Sequence, residues 1–240
     1  MIKSYSSDEY LKKNSTYHVE DSKFKSSNII KILKKNKFNF NEVSNVVDVG
    51  CGLGEIIKNL QKTNYFNKTT NFYGFDINKR IIDNANVDIN KNLKFFCQDF
   101  INFNFTTKPD LIICADVFEH VEDYIGFLKK LSCKSKFFLF NIPLDISLRT
   151  LLFDNLINEN FDKIGHLHFF NKNTSKLILN FCNFEILDMI YAKNFLCHTK
   201  KNTIKRLLAF IPIKLFDLIN EDLCAKIFGD SLVCLAKSKS

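Results

Sequence analysis

The sequence predicts an α/β fold: a doubly wound, mostly parallel β-sheet with helices on both faces. From about residue 44 onward, short runs rich in β-branched and aromatic residues alternate with longer stretches of helical periodicity, as in strand–helix–strand units. Three of the seven glycines lie close together at positions 50, 52 and 54, where the first strand meets the first helix. The 240 residues, 46% of them hydrophobic, suffice for one well-filled domain.

Each expected strand is a short, mostly apolar run, and each expected helix is a longer segment with apolar residues three and four positions apart. In chain order, strands are expected at 45–49, 72–76, 93–97, 111–115, 136–141, 184–191 and 231–236, and helices at 55–62, 79–90, 124–131 and 174–182. The last two strands are expected to form an antiparallel edge, because no single helix connects them.

Two segments lie outside this core. Residues 1–43 are expected to form an N-terminal helical lid, with a helix around 26–35, and 44–240 to form the main domain. Residues 193–229 are expected to be a helical insertion before the last strand, broken into two helices by Pro212. Its stretch 203–228 is amphipathic and basic, a pattern that favours covering the core and leaves a peripheral membrane contact open.

The net charge of +8 lies at the two ends of the chain. Residues 1–45 carry nine basic and five acidic side chains, and residues 191–240 carry nine basic and four acidic ones. Residues 46–190, between them, carry sixteen basic and seventeen acidic side chains. Only three of the basic residues are arginines, the residue type preferred for contacts to phosphates and bases. We therefore expect no nucleic-acid partner.

The eight cysteines are scattered, without CxxC pairs or close Cys/His spacing, so neither a disulfide framework nor a zinc site is expected. The N-terminus lacks the apolar run of a signal peptide, and the most apolar run, 207–213, is too short to span a bilayer. These features predict a cytoplasmic protein.

A ligand site is expected at the glycine turn. The turn is flanked by Asp48 and Glu55, and Asp76 ends the second strand 22 residues after Gly54. Glycines here let backbone approach a ligand closely, and a carboxylate at the second strand can accept both hydroxyls of a ribose. The spacing is GxGxG rather than the GxGxxG of dinucleotide folds. Acids beside the turn suit a ligand with an amino group and a positive sulfur better than a pyrophosphate.

These motifs resemble the class I S-adenosylmethionine-dependent methyltransferases of the small-molecule type. VVDVGCGLGE (46–55) is similar to their first motif, YGFDIN (73–78) to their second-strand acid, and DLIICADVFEHVED (110–123) to their fourth-strand motif. GHLHFF (165–170) is similar to the segment before their sixth strand. The resemblance implies a Rossmann-like seven-stranded sheet and S-adenosyl-L-methionine as cofactor. Residues 14–22 are similar to the lid of bacterial members from cell-surface sugar pathways.

The resemblance also implies which residues bind the cofactor. The three glycines would pass under its methionine part, with Asp48 near the amino group, Asp76 on the ribose and Ile77 on the adenine. Asp99 and Phe100 would line the adenine pocket. Ala115 and Asp116 would lie beside the sulfur and carboxylate of the cofactor. The complete expected set is Asp48, Gly50, Gly52, Gly54, Asp76, Ile77, Asp99, Phe100, Ala115 and Asp116.

His120 and His166 are the expected catalytic residues. His120 follows the fourth strand at the pocket mouth, where it could act as a general base or merely bond a neighbouring backbone. His166 and His168 would face the same side of an extended segment, but no third ligand lies near them in the sequence, so no metal is expected. Asp116 and Glu119 are expected to contact the acceptor or to be surface acids, and His18 to lie in the lid.

The methyl acceptor is expected to be a small molecule. Ala115-Asp116-Val117-Phe118 stands where many amine and amide methyltransferases carry an Asn/Asp-Pro-Pro-aromatic motif, which favours a hydroxyl, first of a sugar or sugar nucleotide. A lipid or quinone precursor and a small amine remain alternatives. An RNA methyltransferase and an inactive cofactor-binding partner protein are less favoured, and the oligomeric state is open.

Overall fold

The computed structural model describes residues 19–86, 89–194 and 204–239. A seven-stranded sheet in the order β3-β2-β1-β4-β5-β7-β6 forms its centre. The strands are β1 (Asn45–Val49), β2 (Asn71–Asp76), β3 (Leu93–Cys97), β4 (Leu111–Ala115), β5 (Phe137–Pro143), β6 (Phe184–Tyr191) and β7 (Ser231–Ser238). The expected doubly wound α/β fold is confirmed.

The helices follow the expected strand–helix alternation. They are α1 (Val19–Lys35), α2 (Glu55–Gln61), α3 (Lys79–Ala85), α4 (Tyr124–Ser132), α5 (Leu148–Leu152), α6 (Asp154–Glu159), α7 (Lys172–Phe181), α8 (Ile204–Ile219) and α9 (Glu221–Phe228). A π-helical turn at Asn160–Ile164 follows α6. The sequence pattern did not predict α5, α6 or this turn. No helix among the described residues is long and apolar enough to cross a membrane.

The sheet is parallel from β3 to β5, and β7 is antiparallel to both of its neighbours. The antiparallel last strand is therefore confirmed. The expected antiparallel edge of the last two strands is also confirmed, because β6 and β7 pair antiparallel at one end of the sheet, where β6 itself runs in the direction of β1–β5. The first six residues of β7 are all buried, whereas exposed and partly exposed positions dominate β6. Burial on both faces favours an interior strand, so β7 lies inside the sheet and β6 at its edge.

The helix α1 is an integral part of the core. It begins seven residues before the expected helix, and Ile29, Ile32 and Leu33 are buried in the same apolar cluster as Val46 of β1 and Ile57 of α2. This packing joins the second half of the expected lid to the main domain. Residues 1–18 of that lid, including His18, lie outside the described residues.

The insertion before β7 does not break at Pro212. Helix α8 continues through this proline, and the chain turns instead at Asn220, whose side chain caps α9 by accepting a hydrogen bond from the Leu223 N–H at 2.9 Å. A proline removes one helical hydrogen bond without always ending the helix, whereas a capped new helix start fixes a break. Residues 195–203, including His198, are outside the described part of the chain.

The topology positions the site. The carboxyl ends of β1, β2, β4 and β5 meet at one edge of the sheet, and the strand order reverses between β1 and β4. In open α/β sheets, ligands bind in the crevice at such a reversal. The glycine turn follows β1 and the Asp116–His120 segment follows β4, so both border this crevice.

Candidate active site

The glycine turn after β1 leaves room for a ligand. Gly50, Gly52 and Gly54 all have positive φ, between 55° and 75°. A Cβ atom at Gly52 would meet no atom within 4 Å, whereas one at Gly54 would lie 2.2 Å from the Phe95 ring. The turn is therefore open toward the crevice at Gly52 and closely packed against the core at Gly54.

Asp76 ties the end of β2 to this turn. Its Oδ2 accepts a hydrogen bond from the Gly52 N–H at 3.1 Å, and its Oδ1 accepts one from the Asn78 N–H at 2.9 Å. The side chain is buried, and this burial raises the pKa of Asp76 although the backbone N–H groups oppose the shift. Each carboxylate oxygen has two lone pairs, so the group can still accept hydrogen bonds from a diol.

A cavity of about 430 Å³ lies beside Asp76 and the glycine turn, within the size range of small-molecule sites. Ile77, on its rim, leaves 60% of its surface exposed, an apolar side chain available to a flat ring. Asp99 caps the next turn, with Oδ1 accepting from the Ile101 N–H at 2.9 Å. The expected cofactor residues that line this cavity are Gly50, Asp76, Ile77, Asp99, Phe100 and Asp116.

Asp48 and Gly54 line neither this cavity nor a second cavity beside it, and a place for Asp48 near the amino group of the cofactor stays a prediction. Asp48 is buried within β1, and its Oδ2 has no hydrogen-bond partner among the described residues. Burial, and then the negative charge of Asp76, raise the pKa of Asp48 to about 8, against the opposing charge of Lys25. Gly54 is the N-cap residue of α2 and packs against the core.

A second cavity of about 310 Å³ adjoins the first and shares Gly50, Asp116 and His120 with it. Two further expected cofactor residues, Gly52 and Ala115, line this second cavity, as does His166. Most of its remaining lining is polar. These polar residues are Asp21, Ser22, Lys25, Glu55, Asp145, Asn160, Asn194, Asp230 and Ser231.

An ion pair joins α1 to the end of β4 at the junction of the two cavities. Lys25 Nζ lies 2.6 Å from Asp116 Oδ2, and Asn141 Nδ2 donates to Asp116 Oδ1 at 2.7 Å. Burial opposes ionisation of Asp116, but the charge of Lys25 and the two hydrogen bonds hold its pKa below the usual value. Asp116 has a φ of 55°, so this network holds its backbone in a left-handed conformation.

The two expected catalytic histidines lie together. The rings of His120 and His166 are 5.0 Å apart and nearly perpendicular. His120 Nδ1 lies 2.9 Å from the Gly165 carbonyl oxygen, and His166 Nδ1 lies 2.7 Å from Asp145 Oδ2. Each of these contacts orients one imidazole ring through its Nδ1 atom.

The carboxylate of Glu119 lies beside the two histidines. Glu119 is fully buried, and neither carboxylate oxygen has a hydrogen-bond partner among the described residues. Its carbonyl oxygen accepts from the N–H groups of Leu167 and His168, at 2.8 and 3.1 Å, which draws the His166 segment against the turn after β4. The surface alternative for Glu119 is therefore wrong.

His168 does not share the side of His166. The segment bends instead of extending, and His168 Nε2 lies 3.0 Å from the Val121 carbonyl oxygen, with its ring 4.3 Å from that of Tyr124. The alternation argument failed because it assumed a strand-like backbone.

Lys25 and Asp145 were missed from the sequence. Asp145 follows β5, at the sheet edge where ligands are expected, so its position was a usable signal. Lys25 is one lysine among many in a helix, and only the packing of α1 brings it to Asp116.

Comparisons with known proteins agree with this architecture. A family model described as a methyltransferase domain matches residues 20–189. None of the curated protein sequences matches the chain. Among solved structures, the plantazolicin methyltransferase BpumL in complex with S-adenosylhomocysteine has a TM-score of 0.64 at 16% identity, covering 98% of this chain and 92% of that one.

Two further solved structures share the fold. Magnesium protoporphyrin IX methyltransferase from Synechocystis PCC 6803 gives a TM-score of 0.57 at 16% identity, covering 90% of this chain and 83% of that one. A putative sarcosine dimethylglycine methyltransferase from Galdieria sulphuraria has a TM-score of 0.61 at 13% identity, covering 90% of this chain and 85% of that one. The family model spans well over half of the chain, so the chain belongs to the S-adenosylmethionine-dependent methyltransferases.

Proposed function

We propose that this enzyme transfers the methyl group of S-adenosylmethionine to a hydroxyl of a small polar molecule, of the sugar or sugar-nucleotide type. The observation that carries the proposal is the polar second cavity, which meets the cofactor cavity at Gly50, Asp116 and His120. A molecule rich in hydroxyls can satisfy such a lining, whereas an apolar acceptor would leave its polar groups without partners.

The residues of the first cavity suit the cofactor. Gly52 leaves its side-chain position open, Asp76 offers carboxylate lone pairs to a ribose, and Ile77 offers an apolar surface to a purine. When bound, S-adenosylmethionine supplies an electrophilic methyl group on a positive sulfur. The chain's own contribution is to hold the acceptor oxygen in line with that methyl group and to exclude water.

We assign His120 and His166 to the acceptor hydroxyl. With Nδ1–H of His166 donating to Asp145, the Nε2 lone pair can act on a hydroxyl at the cavity junction; this tautomer is assigned from the hydrogen bond. The bound cofactor would supply the methyl group. An oxygen lone pair of the acceptor would form the new bond to it, S-adenosylhomocysteine would leave with the electron pair of the broken S–CH₃ bond, and Nε2 of His166 would take the hydroxyl proton.

A small amine is the second candidate acceptor. The described lining of the second cavity holds five carboxylates, those of Asp21, Glu55, Asp116, Asp145 and Asp230. Its single described lysine, Lys25, is paired with Asp116. An excess of negative charge favours a cationic acceptor over an anionic one, and among the proposed hydroxyl compounds it favours an uncharged sugar over a sugar nucleotide. It also gives no support to an RNA acceptor.

The acceptor class is tested with a panel of sugars, sugar nucleotides, small amines and phenolic or lipid-like alcohols, incubated with methyl-labelled cofactor. We expect label in the hydroxyl compounds and, relative to wild type, a loss of at least about tenfold in kcat/KM for His166→Ala. His168→Ala is the control, because that ring bonds a backbone carbonyl away from the cluster. Label in amines alone would favour the second candidate. The peripheral membrane contact of 203–228 and the cytoplasmic location stay predictions.

A further inference from the structure

The side chain of Glu119 has surroundings that a carboxylate does not tolerate without a counter-charge. It is fully buried, and its two oxygens have no hydrogen-bond partner among the described residues. A buried carboxylate is stable when it is paired with a cation or bound to a metal.

Two histidines face this carboxylate. Glu119, His120 and His166 each offer one ligand atom, and these atoms lie within 4.8 Å of one another. Bonds of 2.0–2.1 Å in a tetrahedral site place ligand atoms about 3.4 Å apart. Side-chain shifts of about 1 Å would therefore bring the three groups around one ion.

The contacts around the histidines match those of metal-binding imidazoles. Asp145 holds Nδ1 of His166, and the Gly165 carbonyl oxygen holds Nδ1 of His120. Metal-binding histidines characteristically bond their second nitrogen to a carboxylate or a backbone carbonyl, which fixes the ring and leaves the first nitrogen as ligand.

The backbone holds the three ligands together from distant parts of the sequence. Glu119 and His120 lie in a 3-10 turn directly after β4, and His166 follows the π-helical turn at Asn160–Ile164. The hydrogen bonds from the N–H groups of Leu167 and His168 to the Glu119 carbonyl oxygen join the two segments. The cluster thus belongs to the fold and does not depend on mobile surface side chains.

We propose that Glu119, His120 and His166 bind one divalent transition-metal ion at the edge of the second cavity. Two imidazoles and one carboxylate form a donor set used by zinc and related first-row ions, with further coordination positions open to a substrate. The expectation from the sequence was no metal, because His166 has no third ligand near it in the chain; the fold supplies Glu119 and His120 from 47 and 46 residues away.

Such an ion would deepen the proposed function, on which this consequence rests. An acceptor oxygen in an open coordination position would lose its proton to solvent more readily, and the histidines would act on the hydroxyl through the ion. The ion would also select acceptors whose hydroxyl can reach it from the cavity.

The test uses the complete protein, freed of metal with a chelator, without affinity tag, cofactor or acceptor. Titration with Co²⁺ distinguishes ligands by its absorption spectrum, because thiolates add a near-ultraviolet charge-transfer band that imidazole and carboxylate ligands lack. This matters because the chain has eight cysteines. We expect one equivalent to bind without a thiolate band, and Zn²⁺ to displace it.

Variants locate the site. We expect Glu119→Gln and His166→Ala to weaken Co²⁺ binding by more than tenfold, and Asp145→Asn by about tenfold through the ring that it orients. His168→Ala should bind as wild type does. Thermal unfolding and binding of S-adenosylhomocysteine show whether each variant is folded. Absence of stoichiometric binding, a thiolate spectrum, or equal affinity in folded Glu119→Gln would each overturn the proposal.

The two proposals fail separately. Methyl transfer that persists in the chelated protein, together with no metal binding, removes the metal site and leaves the proposed function standing. If the protein binds metal, the variants weaken binding as expected and no hydroxyl compound is methylated, the result supports the metal site and contradicts the proposed acceptor.

Discussion

Asp76, the proposed ribose acceptor, also holds the glycine turn, because its carboxylate accepts hydrogen bonds from the N–H groups of Gly52 and Asn78. Replacing it by alanine removes the proposed ribose acceptor and releases the turn. Hydrogen bonds to a charged group contribute about 1.5–3 kcal/mol each. We therefore expect Asp76→Ala to weaken S-adenosylhomocysteine binding by at least about tenfold, measured by titration calorimetry. Asp83→Ala, an exposed aspartate paired with Lys79, is the control and should bind normally.

Two glycines of the same turn should respond differently to alanine. At Gly52 the added methyl group meets open space, so only the left-handed backbone opposes it, at about 1–2 kcal/mol. At Gly54 it also meets the Phe95 ring, and overpacking adds about 1–3 kcal/mol. Urea unfolding should show Gly54→Ala as the less stable variant. Equal stability of the two would contradict the packing at Phe95.

The raised pKa of Asp48 predicts how the free energy of unfolding of the cofactor-free protein depends on pH. Its pKa in the fold is about 8, above the value of about 3.9 of an unfolded chain. Between these values the folded state holds a proton that the unfolded state has lost, so this group makes stability fall as pH rises from about 4 to 8. The slope from one group is at most about 1.4 kcal/mol per pH unit.

Asp48→Asn removes this contribution. The variant should gain stability relative to wild type as the pH is raised from 5 to 8, measured by urea unfolding at each pH. Asp76 and Lys25 are the charged groups that act on Asp48, and both remain in the variant. A constant difference in stability between the two proteins across this range would show that Asp48 is already ionised in the fold.

At the scale of elements, the ion pair between α1 and the end of β4 couples the N-terminal helix to the reaction centre. Lys25→Met leaves the Asp116 carboxylate without its cation, and we expect a loss of about 1–3 kcal/mol in the free energy of unfolding. Asp116→Asn alone leaves Lys25 unpaired. The double variant should be more stable than the sum of the single losses predicts; additive losses would show that the pair contributes nothing.

Elements with local signals were predictable. The strands at 45–49, 93–97, 111–115 and 184–191 coincide with β1, β3, β4 and β6, because alternation and apolar runs are recorded in adjacent residues. The place of β7 inside the sheet and the continuation of α8 through Pro212 depend on tertiary packing. The residues of β7 and of α8 do not themselves indicate these two features.

At the scale of the whole molecule, the two halves of the site differ in how far sequence could predict them. Gly50, Gly52 and Asp76 lie on consecutive strand–turn units, so their spacing and the family resemblance predicted them as cofactor residues, and all three line the two cavities. The acceptor side combines Lys25 and Glu119 with residues after β5 and before α7. Such a cluster forms only when helices and loops pack over the sheet edge, and no local pattern records it.

Transfer of a labelled methyl group from S-adenosylmethionine to a metabolite extract, read by mass spectrometry, tests the central claim that the joined cavities form a methyltransferase site. The account predicts that wild-type protein adds one methyl group to a small polar metabolite, and that Asp76→Ala and His166→Ala reduce this product at least about tenfold. A product formed equally by wild type and Asp76→Ala, or no product from wild type that binds S-adenosylhomocysteine, would contradict it.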